Sequence, residues 1–175
     1  MKILNKLTKK ESYQQGFTLI ELMAVVAIVG IISSIGFPAL INLINEQRLT
    51  AQTNNLIASL NLARSTSIKR RQIVTIRRVT NWNNGWQVFV DGDNDGTLDA
   101  GETMLKTYPA LAQGSVTISG TNFTNFISYS PNGRANNIGN FTFCPSSNIS
   151  SSRKIVIAGS GRMRTEKDTY AANCP

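Results

Sequence analysis

The sequence has no histidine among its 175 residues, and it has only two cysteines. The absence of histidine excludes proton transfer by an imidazole, the side chain that most often serves as a general base. It also excludes zinc sites that combine histidine with cysteine. No nucleophile–base pair, phosphate-binding loop or catalytic zinc spacing is present instead. We therefore predict that the protein is not an enzyme and that it uses no cofactor and no catalytic metal.

Acidic residues are scarce as well, with ten Asp and Glu against 18 Lys and Arg and a formal net charge of +8. Half of these acids lie in one loop, between Asp91 and Glu102. The rest of the chain is strongly basic, which favours an anionic partner such as nucleic acid or a lipid surface. A solvated surface that only keeps the protein soluble is the alternative.

One long apolar run is present near the N-terminus, because no charged residue occurs from Leu22 to Asn45. About 20 such residues span the hydrocarbon core of a bilayer. Four lysines precede the run and should hold that end in the cytoplasm, so that the C-terminal body crosses the membrane. These are Lys2, Lys6, Lys9 and Lys10.

A candidate cleavage site lies before the apolar run, at Gly16-Phe17. An ordinary secretory signal is cut after its apolar core, whereas a cut at Gly16 keeps the apolar helix in the mature protein. Glu21 at the edge of a membrane helix costs about 2–3 kcal/mol or more, so we expect a partner for it. The amine that cleavage frees on Phe17 is one partner, from the same chain or a neighbour. An exposed position at the headgroup boundary is the alternative.

The segment from Gly16 to Leu22 resembles the signal of type IV prepilins and of type II secretion pseudopilins. The resemblance implies cleavage after Gly16 by a prepilin peptidase, N-methylation of Phe17, and a role for Glu21 in the registry of subunits during filament assembly. It also implies residence in the bacterial inner membrane with a periplasmic head, followed by extraction into a pilus at the cell surface. The resulting segments are a leader peptide (1–16), a transmembrane or filament-core half-helix (17–45) and a periplasmic globular head (46–175).

The head begins with an amphipathic helix and continues with short strands. Apolar and small residues recur at helical spacing and mark one buried face: Leu49, Leu56, Leu60, Ala63 and Ser67. Ile57 and Ile68 are expected to widen it. Runs rich in β-branched residues, separated by Gly, Asn, Pro and Asp, then predict strands at 73–79, 86–90, 104–108, 116–118, 126–129, 141–143 and 154–157. The predicted fold class is α+β, with a long N-terminal helix packed on an antiparallel sheet.

Four segments of the head occur in the order typical of one subfamily. They are 85–91, the acidic loop to Glu102, 131–134 and 161–164. Together they resemble the head of GspH-type pseudopilins and of FimT/FimU-type minor pilins. The resemblance implies the type IV pilin fold, and it implies other major and minor pilins as partners.

Cys144 and Cys174 are the two cysteines. In a chain exported to an oxidising compartment, such a pair predicts one disulfide, which would join the C-terminal tail to the body of the head. Two free thiols are the alternative.

The acidic loop has the spacing of a twelve-residue calcium-binding loop. Carboxylates stand at its first, third, fifth, ninth and twelfth positions and glycine at its sixth, in Asp91, Asp93, Asp95, Gly96, Asp99 and Glu102. Predicted strands flank the loop where that motif has helices. A polar hairpin turn without a metal is therefore one interpretation, and a weak, structural calcium site is the other.

The C-terminal segment 153–164 reads as a strand, a glycine-rich turn and a second strand. A three-residue loop at 159–161 places Ala158 opposite Arg162 and Ile157 opposite Met163. Arg162 and Arg164 then point together to solvent, whereas a two-residue loop would place both on the apolar face. We predict the three-residue loop, because the other register buries charge.

The paired arginines suit phosphate, which a guanidinium binds through two hydrogen bonds. We expect Arg153, Lys154, Lys167 and Arg134 to extend the basic surface, with Glu166 opposite Lys154 and neutralising it. A solvated strand face, or contact with another pilin, is the alternative.

The stretch 161–164 resembles the Gly-Arg-x-Arg motif of FimT-type minor pilins. That resemblance implies binding of extracellular DNA through its phosphate backbone, without sequence preference, for uptake in natural transformation. The alternative function is that of a structural GspH-like pseudopilin or priming minor pilin that binds only other pilins.

Overall fold

The computed structural model describes residues 16–112, 114–119, 124–145, 151–169 and 174. The predicted leader, apart from Gly16, lies outside the described residues. The chain divides into two compact units, Met1–Leu40 and Ile41–Pro175. A single helix, α1 (Leu19–Arg70), begins in the first unit and ends in the second.

In the first unit, α1 presents apolar side chains to its surroundings on every face. Ile20, Val26 and Ile35 are each more than 60% exposed. In the described part of the chain, α1 is the helix that by length and composition is able to cross a membrane. Pro38 lies inside it. An all-apolar surface of this length is unfavourable in water, which agrees with the predicted membrane segment.

The N-terminus of α1 is capped by Thr18 and Glu21. The Glu21 N–H donates to Thr18 Oγ1 at 3.3 Å, and the Thr18 N–H donates to Glu21 Oε2 at 3.5 Å. This reciprocal pair is a capping box, which satisfies two backbone donors that a helix start leaves free. Glu21 therefore has a hydrogen-bond partner within its own chain, the Thr18 N–H, which is not the expected Phe17 amine. Pairing with the Phe17 amine stays a prediction for the cleaved protein.

In the second unit, one face of α1 forms the base of the core. All five residues of the predicted stripe are buried, together with three polar neighbours, Gln52, Thr53 and Ser59. The expectation for Ile68 is wrong, since its side chain is 49% exposed near the helix end. Ile57 is partly buried and packs against the core, as expected.

In the described part of the head, eight strands follow α1, arranged in two antiparallel four-stranded sheets. One sheet has the order β3-β2-β1-β5 and the other β4-β6-β7-β8. The strands are β1 (Val74–Arg78), β2 (Trp86–Val90), β3 (Met104–Tyr108), β4 (Ser115–Ser119), β5 (Phe126–Tyr129), β6 (Gly139–Cys144), β7 (Ser151–Ile157) and β8 (Met163–Thr169). Every strand predicted from the sequence is present, and the α+β class is confirmed.

Aromatic side chains join the helix to both sheets. Trp86 on β2 stacks on Tyr108 with ring centroids 5.4 Å apart, and its indole N–H donates to Ser59 Oγ on α1 at 3.0 Å. Trp82 meets the edge of Phe141 on β6 at 4.8 Å. Each fully buried aromatic side chain contributes about 1.5–3 kcal/mol through the removal of apolar surface from water. The helix and the two sheets therefore share one core.

A disulfide joins Cys144 at the end of β6 to Cys174, with 5.6 Å between the two Cα atoms. The prediction of a disulfide is confirmed. It connects residue 174, near the C-terminus, to the central part of the second sheet.

Candidate nucleic-acid interface

The β7–β8 hairpin has the predicted register. Ile157 pairs with Met163 and Val156 with Arg164. The Ala158 N–H donates to the Arg162 carbonyl at 3.0 Å, and the Gly161 N–H donates back to the Ala158 carbonyl at 2.8 Å. The connection is therefore the three-residue loop 159–161, and the two-residue alternative is excluded.

The two faces of the hairpin differ in character. Ile155 and Ile157 are buried in the core, and Met163 packs beside them. Because side chains alternate along a strand, Val156, Arg162 and Arg164 lie on the opposite face. Arg162 is exposed, and the Arg164 side chain is 72% exposed. The prediction of two adjacent outward arginines is confirmed.

A surface cleft of about 380 Å³ runs along this outer face. The aliphatic side chains of Val156 and Ala158 form part of its wall, and Arg162 and Arg164 stand beside them. Ser160 and Met163 complete the lining. The cleft therefore combines an apolar wall with two guanidinium groups. Such a surface is able to bind a sugar–phosphate chain, in which sugars join the charged phosphates.

Arg153 does not belong to this surface, which corrects the prediction that it extends the arginine pair. It shares the inward face with Ile155, and its Nη2 donates to Thr50 Oγ1 on α1 at 3.4 Å. Lys167 pairs with Arg153 in the ladder and so is on that same face, although it is exposed at the sheet edge. The period of two along a strand separates both residues from Arg162 and Arg164.

Lys154 stays on the outer face, opposite Glu166 as predicted. The expected neutralisation of Lys154 is wrong, however, because Glu166 Oε1 accepts from Arg164 Nε at 2.7 Å. Both side chains are well exposed, so the pair is worth about 0–1 kcal/mol and exchanges readily with another anion. Among the side chains that the structure describes this is the one ion pair, and none of their carboxylates lies within 4.0 Å of a guanidinium nitrogen of Arg162.

Arg64 on α1 is a further residue of the site, and the motifs of the sequence did not identify it. Its Nε donates to the Gly133 carbonyl at 3.0 Å, and its Nη2 donates to the Ser160 carbonyl at 3.3 Å. One guanidinium thus joins α1 to two turns. Its position next to Ala63, on the buried face of α1, indicates that Arg64 contacts other parts of the head. The sequence does not show which parts, because its partners are 69 and 96 residues away in the chain.

Arg134 is exposed on the first of these two turns. The turn is closed by the Ser130 N–H, which donates to the Arg134 carbonyl at 2.9 Å. It touches the hairpin loop closely, since a side chain on Gly161 would come within 2.0 Å of the Gly133 carbonyl oxygen. The structure therefore places Arg134 next to the arginine pair, on a turn between β5 and β6 that is not part of the β7–β8 hairpin.

The acidic loop lies between β2 and β3, on the other sheet. The Asp95 carboxylate contributes most to raising the pKa of Asp99 above its ordinary value, and the other acids of the loop add to it. The negative charges of the loop therefore repel one another.

Gly16 and Phe17 are both exposed, and Phe17 is 85% exposed. Nothing in the described residues covers the bond between them. Cleavage and methylation at this bond stay predictions.

Comparisons with known proteins agree on one family. Residues 52–161 match the family described as type II transport protein GspH, and residues 12–37 match the prokaryotic N-terminal methylation motif. A fimbrial protein of Pseudomonas aeruginosa is 30% identical over 117 residues, which cover 59% of this chain and 76% of that protein.

Solved structures show the same fold. The type IV minor pilin FimU of Pseudomonas aeruginosa superposes with a TM-score of 0.58 at 20% identity, covering 69% of this chain and 90% of FimU. The minor pseudopilin EpsH of the Vibrio cholerae type 2 secretion system gives 0.52 at 10% identity, covering 69% and 97%. With its apolar N-terminal helix, antiparallel sheets and matched residues, the chain belongs to the GspH family of minor pilins and pseudopilins and has the type IV pilin fold.

Proposed function

We propose that this minor pilin binds extracellular DNA through its phosphate backbone, without sequence preference, for uptake in natural transformation. The observation that supports it most is the outward pair Arg162 and Arg164, beside a cleft on the outer face of the β7–β8 hairpin. Positions two apart on a strand face are about 7 Å apart, which suits successive phosphates of one nucleic-acid strand.

The surroundings of the pair favour an anion. Lys154 lies on the same outer face, and Arg134 is on the adjoining turn. Glu166, the acid paired with Arg164, is held by an exposed ion pair that a phosphate is able to replace. The net charge of +8 falls to +5 when the leader with its four lysines and Glu11 is removed, and this remaining positive charge attracts polyanions over longer distances.

The absence of sequence preference follows from what the hairpin offers. Among the described residues of the head, the Trp, Phe and Tyr side chains are buried, apart from the half-buried Phe126. The groups that the outer face of the hairpin exposes are guanidinium groups, and phosphate contacts of this kind carry no sequence information. Binding should therefore be electrostatic and sensitive to salt.

The test is DNA binding by the full chain in a non-ionic detergent, measured by fluorescence anisotropy with two unrelated duplexes at several salt concentrations. We expect the Arg162→Ala/Arg164→Ala variant to bind about 10- to 100-fold more weakly, since it loses charge-assisted hydrogen bonds. The slope of log K against log salt should fall by about 1.8, which is 0.9 for each phosphate released.

The control is Arg48→Ala/Lys106→Ala, which removes the same charge from two exposed positions outside the hairpin. It should keep most of the affinity, and wild-type protein should bind both duplexes equally. If the two double variants lose affinity to the same extent, net charge and not the arginine pair is responsible.

A structural role among pilins is the second candidate, supported by the match to the fold of a pseudopilin. In that role, the basic face meets an acidic face on a neighbouring pilin. Loss of piliation or secretion in the double arginine variant, with unchanged DNA affinity, would favour it.

The life cycle that we propose follows the methylation motif. A prepilin peptidase cuts after Gly16, Phe17 is methylated, and the chain stays in the inner membrane with a periplasmic head until it enters the pilus. The exposed Gly16-Phe17 bond and the membrane-length helix support this order.

A further inference from the structure

The acidic loop contains a buried carboxylate whose hydrogen bonding is incomplete. Asp91 is 1% exposed, and its Oδ2 accepts from Thr75 Oγ1 at 2.6 Å and from the Gly96 N–H at 3.0 Å. Its Oδ1 is also buried but accepts no hydrogen bond in the described part of the chain. A buried, charged oxygen without a partner is costly, so this oxygen needs a cation or a donor.

Two exposed carboxylates lie next to it. One oxygen each from Asp91, Asp93 and Asp95 lies within 4.8 Å of the others. Calcium binds oxygen at 2.3–2.6 Å, so ligands on opposite sides of one ion are about 5 Å apart. The three carboxylates are therefore close enough to share a single ion.

The backbone of the loop keeps these groups together. Asn94 and Gly96 both have positive φ, of 62° and 74°, which turns the chain sharply between the acids. The turn is seated against Phe126, because a Cβ on Gly96 would come within 2.5 Å of that ring. A loop held in this way loses little conformational freedom when it binds an ion.

The far end of the loop has a different role from the one expected of a twelve-residue calcium loop. Glu102 accepts from the Gly92 N–H at 2.6 Å and from the Asp99 N–H at 3.1 Å. Glu102 thus joins the two ends of the loop through hydrogen bonds, and it is not one of the three acids whose oxygens lie close together. The expected set of five ligands is reduced to three carboxylates, with water or backbone oxygens to complete the shell.

Among the described side chains, none forms an ion pair with the three acids. Arg77 reaches the loop, but its Nη1 donates to the Gly96 carbonyl and to Thr97 Oγ1. Among residues that the structure describes, no Lys or Arg nitrogen lies within 4.0 Å of a carboxylate of this loop. The described side chains therefore leave room for a cation from solution to balance this charge.

We propose that Asp91, Asp93 and Asp95 bind one calcium ion, which fixes the β2–β3 loop after the head has left the cytoplasm. Hard carboxylate oxygens select calcium or magnesium over softer metals, and an irregular cage of this kind favours calcium over octahedral magnesium. The affinity should be that of extracellular calcium modules, with Kd on the order of 0.1–1 mM.

The experiment uses the full chain in non-ionic detergent, freed of metals with EDTA and then dialysed. Titration calorimetry with calcium chloride should give one site, and 10 mM calcium should raise the melting temperature by about 3–10 °C. Magnesium should bind at least about tenfold more weakly. The variants Asp93→Asn and Asp95→Asn should each weaken calcium binding by about tenfold or more.

These two positions are exposed, so their amides leave the fold intact, whereas Asp91 is packed into it. Glu46→Gln is the matched control, since it removes one acid on α1 outside the loop and should not change calcium binding. Three results would overturn the proposal: no heat at millimolar calcium, equal affinity for magnesium, or unchanged affinity in both loop variants.

Discussion

Gly161 determines the course of the chain immediately before the two exposed arginines. Its φ is +75°, and a Cβ there would lie 2.0 Å from the Gly133 carbonyl oxygen. Gly159 is in the same loop, but its φ is not in the left-handed region and its nearest neighbour would be Ile138 Cγ2 at 3.5 Å. The two glycines therefore form a matched pair for substitution.

We expect Gly161→Ala to lower the free energy of unfolding by about 2–4 kcal/mol, because it adds both a backbone strain and a collision with a main-chain atom. Gly159→Ala should change it by less than about 1 kcal/mol. Urea denaturation followed by tryptophan fluorescence measures both. Similar losses for the two variants would show that the contact with Gly133 is not the cause.

Residue-level prediction from the sequence succeeded where a local rule applies. The turn length in the hairpin followed from keeping Arg162 and Arg164 off the apolar face, and the structure has that register. The prediction that Arg153 lies beside the arginine pair was wrong because it considered only the charge of the residue. The alternation of side chains along a strand also applies to Arg153. The rule assigns it to the inward face, where Thr50 accepts its hydrogen bond.

At the scale of elements, Arg64 links α1 to the turn of Arg134 and to the loop of the β7–β8 hairpin. The Gly133 and Ser160 carbonyl groups each accept a hydrogen bond from a different nitrogen of its guanidinium group. The single ammonium nitrogen of a lysine cannot reproduce this geometry. Arg64 is therefore a positioning residue for the proposed interface.

We expect Arg64→Lys to destabilise the fold by about 1–2 kcal/mol, through one or two lost hydrogen bonds to a charged donor. DNA affinity should fall although the net charge is unchanged. Arg70→Lys, at an exposed position near the helix end, should alter neither property. Chemical denaturation and fluorescence anisotropy supply the two measurements, and a loss of stability without any loss of affinity would contradict a positioning role.

The elements were predictable because each has a local signal, whereas their arrangement was not. Runs of β-branched residues marked the strands, and period 3.6 marked the buried face of α1. The division into two sheets depends on β1 pairing with β5 and on β4 pairing with β6. Such pairings join distant segments, and no short-range pattern encodes them.

For the molecule as a whole, the disulfide between Cys144 and Cys174 joins residues separated by 30 positions. In the chain-entropy description, closing a loop of that length stabilises the folded state by about 3–4 kcal/mol. We expect reduction with dithiothreitol to lower the melting temperature of the full chain by about 7–15 °C.

The Cys144→Ser/Cys174→Ser variant should melt at the lower temperature and should not respond to reductant. Equal melting temperatures for the oxidised and reduced wild type would contradict a stabilising role. Both measurements are made without added calcium, so that the acidic loop does not contribute.

The position of β8 at the end of its sheet has a consequence for aggregation. An outermost strand offers unpaired N–H and carbonyl groups to any other chain, and charged side chains are the usual protection against such strand addition. Arg164, Glu166 and Lys167 supply those charges here. Arg164, which belongs to the surface proposed to hold DNA, therefore also helps to keep one head from adding its strand to the next, and its replacement should alter both properties.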